Sequence, residues 1–556
     1  MALLTQSMAQ GASDVPLIEQ PIGDFFDDMV GKQPDREALV SRHEGQRYTY
    51  RELQAESNKL ASALLNLGLA PGDRVGIWSH NNVAWVLMQI ATAKVGLILV
   101  NINPAYRTSE LEYALNKVGC KALVTMAQFK TSDYLGMLRE LGPKRVPQLA
   151  HTFWIDKAGL GDEQPGMQRF SQLLASGDAS DPRIAQVQKT LKATDPINIQ
   201  FTSGTTGFPK GATLTHRNIL NNGFFIGECM KLSPADRLCI PVPLYHCFGM
   251  VLGNLACLTH GSAIVYPNDG FDPLTVLETV QAEKCTGLHG VPTMFIAELD
   301  HPRFKEFDLS TLRTGIMAGS PCPIEVMKRV VSEMHLSEIT IAYGMTETSP
   351  VSCQSSTDTP LDRRVSTVGT VQPHLEVKIV DPETGAVMPA GQSGELCTRG
   401  YSVMHGYWDD EAKTREAIDT EHWMHTGDLA TMDGEGYVNI VGRIKDMVIR
   451  GGENIYPREI EEFLYRHPKV QDVQVVGLPD KKYGEELCAW IIVKPGQSAT
   501  EEEVREFCKG QIAHYKVPKY IRFVSEFPMT VTGKIQKFKI RDAMTEQLGL
   551  SQEKTA

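Results

Sequence analysis

Residues Phe201 to Asn218 read FTSGTTGFPKGATLTHRN, in which Thr202, Ser203, Thr205, Thr206 and Thr213 stand among Gly204, Gly207, Gly211 and Lys210. Hydroxyls, open backbone amides and a cation are the groups that hold polyphosphate oxygens. The spacing is not that of the G-x-x-x-x-G-K-[ST] phosphate loop. Counted from Gly204, Pro209 takes the place of its second glycine and Gly211 the place of its Mg²⁺-binding hydroxyl. Lys210 has two open readings, since amides and hydroxyls can hold phosphate without it.

The elements around this loop must be strands. PINIQ before it and GATL after it read as short strands, with Thr215 as N-cap of a helix from His216. A strand-to-strand turn differs from a loop that ends on a helix N-terminus facing the phosphate. Upstream, Leu53, Leu60, Leu64 and Leu67 recur at helical spacing up to Gly68, RVGIW (Arg74 to Trp78) predicts a buried strand, and Val83 to Ala93 predicts a helix. This is α/β alternation. DPETGAVMPAGQSGE (Asp381 to Glu395) and TMDGEGYV (Thr431 to Val438) predict hairpin turns in a β-rich region. Past Gly442 to Asp446 the pattern becomes helix Pro457 to Arg466, strands Val473 to Gly477 and Leu487 to Val493, and helix Glu501 to Ile512. The expected fold is therefore a multidomain α/β and α+β chain. A large N-terminal domain of αβ-layered and β-rich subdomains would span residues 1–445, and a small α+β domain residues 446–556.

The chain has 556 residues, 42% hydrophobic and 22% charged, which is the composition of a globular protein with more than one core. A formal net charge of −12 argues against a protein that coats nucleic acid. Eleven cysteines form no C-x-x-C pair, so neither a zinc cluster nor a disulfide framework is expected. The apolar segment Ala84 to Val100 is interrupted by Gln89 and Lys94 and is too short to span a bilayer. The N-terminal residues carry no basic region before an apolar one, so a cytoplasmic protein is expected, with a soluble organelle still open.

Four further stretches put rarer residues in tight order: YGMTET (Tyr343 to Thr348), HTGDL (His425 to Leu429), GRIKDMVIRGGENIYPREIE (Gly442 to Glu461) and VTGKIQK (Val531 to Lys537). With the hydroxyl loop, these resemble the core motifs of the adenylate-forming superfamily of acyl-CoA synthetases, carrier-protein adenylation domains and luciferases. The resemblance runs from YTYRELQAESNKLA (Tyr48 to Ala61) to Lys534, and five motifs in order are far more specific than any one. It is nearest to the medium-chain fatty acyl-CoA synthetase group, and Lys537 stands where many relatives have arginine.

The implied chemistry explains the residue types. A carboxylate is a poor electrophile and must be joined to AMP before a thiol can displace it, which sets one anion against another and calls for a metal and a cation. The resemblance implies that Thr202, Ser203, Gly204, Thr205, Thr206, Gly207 and Lys210 hold the departing phosphates. Glu347 would ligate Mg²⁺, Thr346 would bond the α-phosphate, and Gly319, Ser320, Pro321, Tyr343, Gly344 and Met345 would surround the nucleotide. Asp428 would take the ribose hydroxyls with Arg443 assisting, and Lys534 would bridge carboxylate and α-phosphate. Asp446 would be the hinge on which the small domain turns to present Gly451 and Gly452 to the pantetheine arm of CoA. Taken singly, each has a bland alternative as a turn, linker or solvated residue.

By the same resemblance His246 in PLYHCFGM would be a gate to the acyl pocket, with Phe248, Gly249, Val251, His289, Gly290, Met317 and Ala318 lining it. No aspartate stands in PLYHCFGM to pair with a substrate ammonium, so an uncharged acyl tail is expected. The expected reaction is ATP-dependent, AMP-forming acid–CoA ligation with Mg²⁺ as cofactor. The alternatives are an aryl, short-chain or long-chain acid as substrate, transfer to a separate carrier protein, and a non-catalytic nucleotide or acyl-CoA sensor. A serine hydrolase is disfavoured because GQSGE (Gly391 to Glu395) lacks the last glycine of a nucleophile elbow. A homodimer stays open.

Overall fold

The computed structural model describes residues 3–129, 131–156, 164–202, 209–450, 453–509, 511–530 and 533–550. Four large sheets organise it. In an eight-stranded sheet, Pro196–Thr202 pairs antiparallel with Lys210–Thr215, so the hydroxyl loop joins two neighbouring strands and Thr202 stands opposite Lys210. Lys210–Thr215 pairs on its other side with Gly406–Tyr407, which brings Tyr407 opposite Ala212.

A nine-stranded sheet contains a parallel run in which Arg237–Cys239, Gly287–Gly290, Thr314–Ala318 and Glu338–Gly344 are successive neighbours. Their carboxyl ends share one edge, the place where open parallel sheets bind ligands. The helix Val83–Lys94 is buried at all twelve positions within the main hydrophobic core, so the apolar segment is core. Its Lys94 is satisfied by an ion pair with Asp27. Among the described residues no helix is long and apolar enough to cross a membrane.

A five-stranded antiparallel sheet holds both expected hairpins: Leu375–Val380 with Gly394–Gly400, and Met424–Met432 with Val438–Arg443. The last sheet begins at Val448 and belongs to the smaller C-terminal domain. There the strands Val470–Asp480 and Gly484–Val493 extend beyond the expected spans, because two long strands pair along nearly their whole length. The helix expected to reach Ile512 ends at Cys508: Lys509 is already extended, just ahead of Gly510, a poor helix former. All eleven cysteines are free.

Helix starts follow local chemistry. Thr215 Oγ1 accepts Asn218 N–H at 3.1 Å while Asn218 Oδ1 accepts Thr215 N–H at 2.8 Å, a reciprocal cap on the helix His216–Cys229. Asn218 Nδ2 also donates to the Val403 carbonyl at 3.2 Å, so the cap fixes the chain that leads to Tyr407. Replacing Thr215 by alanine is expected to cost about 1 kcal/mol. Urea unfolding at unchanged m-value checks this, and an unaltered midpoint would contradict it.

Candidate adenylation site

Asp428 and Arg443 face each other across two strands of the β-rich sheet, and Arg443 Nε lies 3.2 Å from Asp428 Oδ1. Asp428 Oδ2 accepts the Tyr343 hydroxyl at 2.7 Å, from the end of the parallel strand Glu338–Gly344. Two sheets thus meet at one carboxylate. Burial raises the Asp428 carboxyl above its ordinary range, while Arg443, Tyr343 and Lys534 oppose that rise. The same burial, with Asp428 alongside, raises the Tyr343 phenol.

Past Tyr343 the chain turns sharply. A Cβ on Gly344 would lie 1.7 Å from the Pro350 carbonyl oxygen, so only glycine fits there. Thr346 and Glu347, both buried, follow on a short 3₁₀ turn. Glu347 Oε1 accepts the Tyr407 hydroxyl at 2.8 Å. Lys210 Nζ lies 3.1 Å from that hydroxyl and 4.2 Å from the centre of the Tyr407 ring. A lysine, a phenol and a carboxylate therefore form one chain, with Lys210 at the end of the hydroxyl-rich loop.

Lys534 comes from the small domain. It sits on a tight turn in which Lys534 N–H donates to Thr530 Oγ1 at 3.1 Å and Thr530 N–H to the Lys534 carbonyl at 2.7 Å. The turn requires Gly533 at φ +77, and a Cβ there would lie 3.0 Å from a Val291 methyl of the large domain. Gly319, at φ +91, leaves room for the Lys534 chain: a Cβ on it would stand 3.9 Å from Lys534 Cε. Burial lowers the Lys534 pKa, opposed by the Cys247 thiol, Asp428 and Glu347 and reinforced by Arg443. His246 Nδ1 accepts Phe248 N–H at 3.1 Å, and burial together with Lys534 pushes this imidazole down to about 3.

The family model for AMP-binding enzymes matches residues 26–408, and that for the AMP-binding enzyme C-terminal domain matches residues 459–534. This chain belongs to the AMP-binding enzyme family. It is 49% identical over 549 residues to YngI of Bacillus subtilis, to which an acyl-CoA synthetase activity is ascribed, covering 96% of this chain and 99% of that protein. It is 47% identical over 563 residues to the mitochondrial medium-chain acyl-CoA ligase ACSF2 of Danio rerio, covering 98% and 92%. Among solved structures it resembles the anthranilate CoA ligase AuaEII in complex with anthranoyl-AMP, with TM-score 0.87, 27% identity, and 97% and 100% coverage.

In this AMP-binding enzyme the structure brings Tyr343, Glu347, Thr346, Asp428, Arg443, Lys210, His246 and Lys534 to one region between the sheets. Thr202 ends the strand opposite Lys210, and Gly319, Ser320 and Pro321 follow the strand Thr314–Ala318. Ser203, Gly204, Thr205, Thr206 and Gly207 of the loop, and Gly451 and Gly452, lie outside the described residues. Phe248, Gly249 and Val251 stand on a π-helical turn, a form frequent at functional sites. The Phe248 ring lies 5.5 Å from that of His289, whose Nε2 donates to the Leu252 carbonyl at 2.9 Å while Nδ1 accepts Ile316 N–H at 3.1 Å. With both nitrogens committed to backbone, His289 offers only its ring face. Gly290, Met317 and Ala318 end the neighbouring strands.

Sequence reasoning missed Tyr407 and Cys247. Tyr407 stands within GYW (Gly406 to Trp408), outside the five motifs, and Cys247 follows His246 in the gate motif. The Cys247 thiol lies 3.8 Å from Thr346 Oγ1.

The residues present fit a Mg²⁺ ion: Glu347 is a buried carboxylate, a hard oxygen donor, and among the described residues its Oε2 has no hydrogen-bond partner. Tyr407→Phe removes a hydrogen bond to a charged group, worth about 1.5–3 kcal/mol. Adenylate formation is expected to fall about 10- to 100-fold with an unchanged circular dichroism spectrum; an unchanged rate would remove Tyr407 from the site.

Proposed function

We propose that the protein joins a medium-chain fatty acid to CoA in two steps within this one site. In the first, an acid oxygen bonds to the α-phosphorus of ATP, pyrophosphate leaves and an acyl-AMP remains. In the second, the CoA sulfur attacks the acyl carbonyl, its proton is lost, and AMP departs. The observation that carries this reading is Lys534, delivered by the small domain into the space that holds Asp428, Arg443, Glu347 and His246.

In this reading Asp428, oriented by Arg443, accepts from the ribose hydroxyls, and Tyr343 lies beside the adenine. The loop from Thr202 to Lys210 grips the β- and γ-phosphates, and Thr346 bonds the α-phosphate. Mg²⁺ held by Glu347 would offset the charge of the phosphates. Lys534 holds the acid oxygen near the α-phosphate and neutralises both. Once the adenylate has formed, that lysine has no further task, and residues 446–556 turn about Asp446 to bring Gly451 and Gly452 toward the CoA arm. Asp446 closes the 3₁₀ turn Ile444–Asp446 between the β-rich sheet and the last sheet, the place such a hinge requires. The medium-chain assignment rests on the likeness to ACSF2 and on PLYHCFGM, which carries no aspartate to pair with a charged tail.

Acyl-CoA formation from ATP, Mg²⁺ and CoA, compared across acetate, butyrate, hexanoate, octanoate, dodecanoate, palmitate and benzoate, is expected to peak between hexanoate and dodecanoate. A peak at benzoate or acetate would overturn the substrate assignment, and adenylate without acyl-CoA would overturn CoA as acceptor. Lys534→Ala is expected to slow adenylate formation at least about 100-fold. The same variant should convert supplied acyl-AMP and CoA to the thioester at close to the parent rate. Equal loss of both steps would refute the division of labour.

A further inference from the structure

We propose that Glu395, Cys397 and His425 form a binding site for one borderline-soft divalent cation of the Zn²⁺ class. The three come together through sheet geometry. Cys397 and His425 are directly opposed on the antiparallel strands Gly394–Gly400 and Met424–Met432, and Glu395 lies two residues before Cys397 on the same face. Cys397 Sγ stands 3.4 Å from His425 Nδ1, and Glu395 Oε2 stands 2.9 Å from that nitrogen. One Cys, one His and one Glu donor all lie within 4.8 Å of one another. A thiolate at about 2.3 Å and an imidazole nitrogen at about 2.0 Å on a tetrahedral ion are about 3.5 Å apart, so the sulfur–nitrogen pair is already at ligating separation. The Glu395 Oε2–His425 Nδ1 pair would have to open by about 0.4 Å to reach the roughly 3.3 Å of two such ligands on a tetrahedral ion.

The surroundings fit ligation. His425 Nε2 faces Asp419 Oδ2 at 3.5 Å, the carboxylate that a metal-binding imidazole commonly has behind it. Asp419 is fixed in turn by the backbone N–H groups of Glu421 and Trp423, both at 2.9 Å. Glu395 Oε1 accepts Gly427 N–H at 3.0 Å, which leaves Oε2 for the ion. Burial raises the Cys397 thiol above its ordinary range, against which His425 and then Lys378 act; Lys378 lies over the Trp423 ring at 4.3 Å, and Arg399 covers the same ring while paired with Glu376. Thiolate and carboxylate together carry two negative charges, matching the ion. Binding releases the Cys397 proton and any proton on His425 Nδ1, while Nε2 keeps its own toward Asp419. Cys397 is buried, whereas His425 is 36% exposed, so one side is open for entry and for water as fourth ligand.

The test is titration of the full-length protein with Zn²⁺ by calorimetry and with Co²⁺ by absorbance, where a thiolate ligand gives a charge-transfer band in the near ultraviolet. The expected result is one equivalent bound, with the band present in the parent and in the control Cys229→Ser and absent in Cys397→Ser. Asp419→Asn should keep the stoichiometry and weaken Zn²⁺ binding about 10- to 100-fold. Should Cys397→Ser fail to fold, Glu395→Gln serves instead: it keeps the acceptor for Gly427 N–H but removes the anionic ligand, and must weaken binding at least 10-fold. Absence of saturable binding, persistence of the band in Cys397→Ser, or unchanged affinity in Glu395→Gln would each overturn the site.

Discussion

A lysine ammonium withdrawn from water holds its proton only if anions lie close by, and the structure is arranged around that requirement at Lys534. Desolvation lowers its pKa, while the carboxylates of Asp428 and Glu347 act against the loss. These carboxylates come from distant parts of the chain, the β-rich sheet and the turn after the parallel strand. The burial that threatens the charge also strengthens its attraction to an anion, which suits the role proposed for Lys534 between a carboxylate and a phosphate.

The same economy appears at Glu347. A buried carboxylate is costly without partners, and the Tyr407 hydroxyl supplies one while taking Lys210 on its other side. That arrangement depends on Gly406–Tyr407 pairing beside Lys210–Thr215, and the chain leading there is tied back to the Thr215 cap by Asn218. Helix start, sheet edge and acidic site are thus one mechanical unit. Close approach is paid for by glycine at Gly344, where a side chain would collide with backbone, and at Gly533, whose left-handed turn points Lys534 inward.

The position of the site follows from topology. Tyr343, Gly290 and Ala318 all stand at carboxyl ends of neighbouring parallel strands, where backbone groups turn away from the sheet and leave a crevice. The antiparallel sheet then closes one side with Asp428 and Arg443, whose cross-strand register makes their contact a consequence of strand pairing.

Much of this was legible in the residues themselves. Period, caps and turn chemistry are local properties, so the strand RVGIW, the Thr215 cap, the strand-to-strand loop and both hairpins could be read directly. Element ends were less legible: the helix past Glu501 stops short of Ile512, and the strands near Val473 and Leu487 run long, because pairing partners set their lengths. The motif residues announced their chemistry by type and order. Their geometry did not follow from that order. Tyr407 joins Glu347 to Lys210, His289 spends both nitrogens on backbone, and Glu395, Cys397 and His425 converge, all through contacts between residues at least 27 positions apart. Sequence by itself determined which side chains were available and how each segment folds, since those depend on near neighbours. Tertiary structure alone decided which charges share a desolvated space, because that depends on strand register and sheet packing.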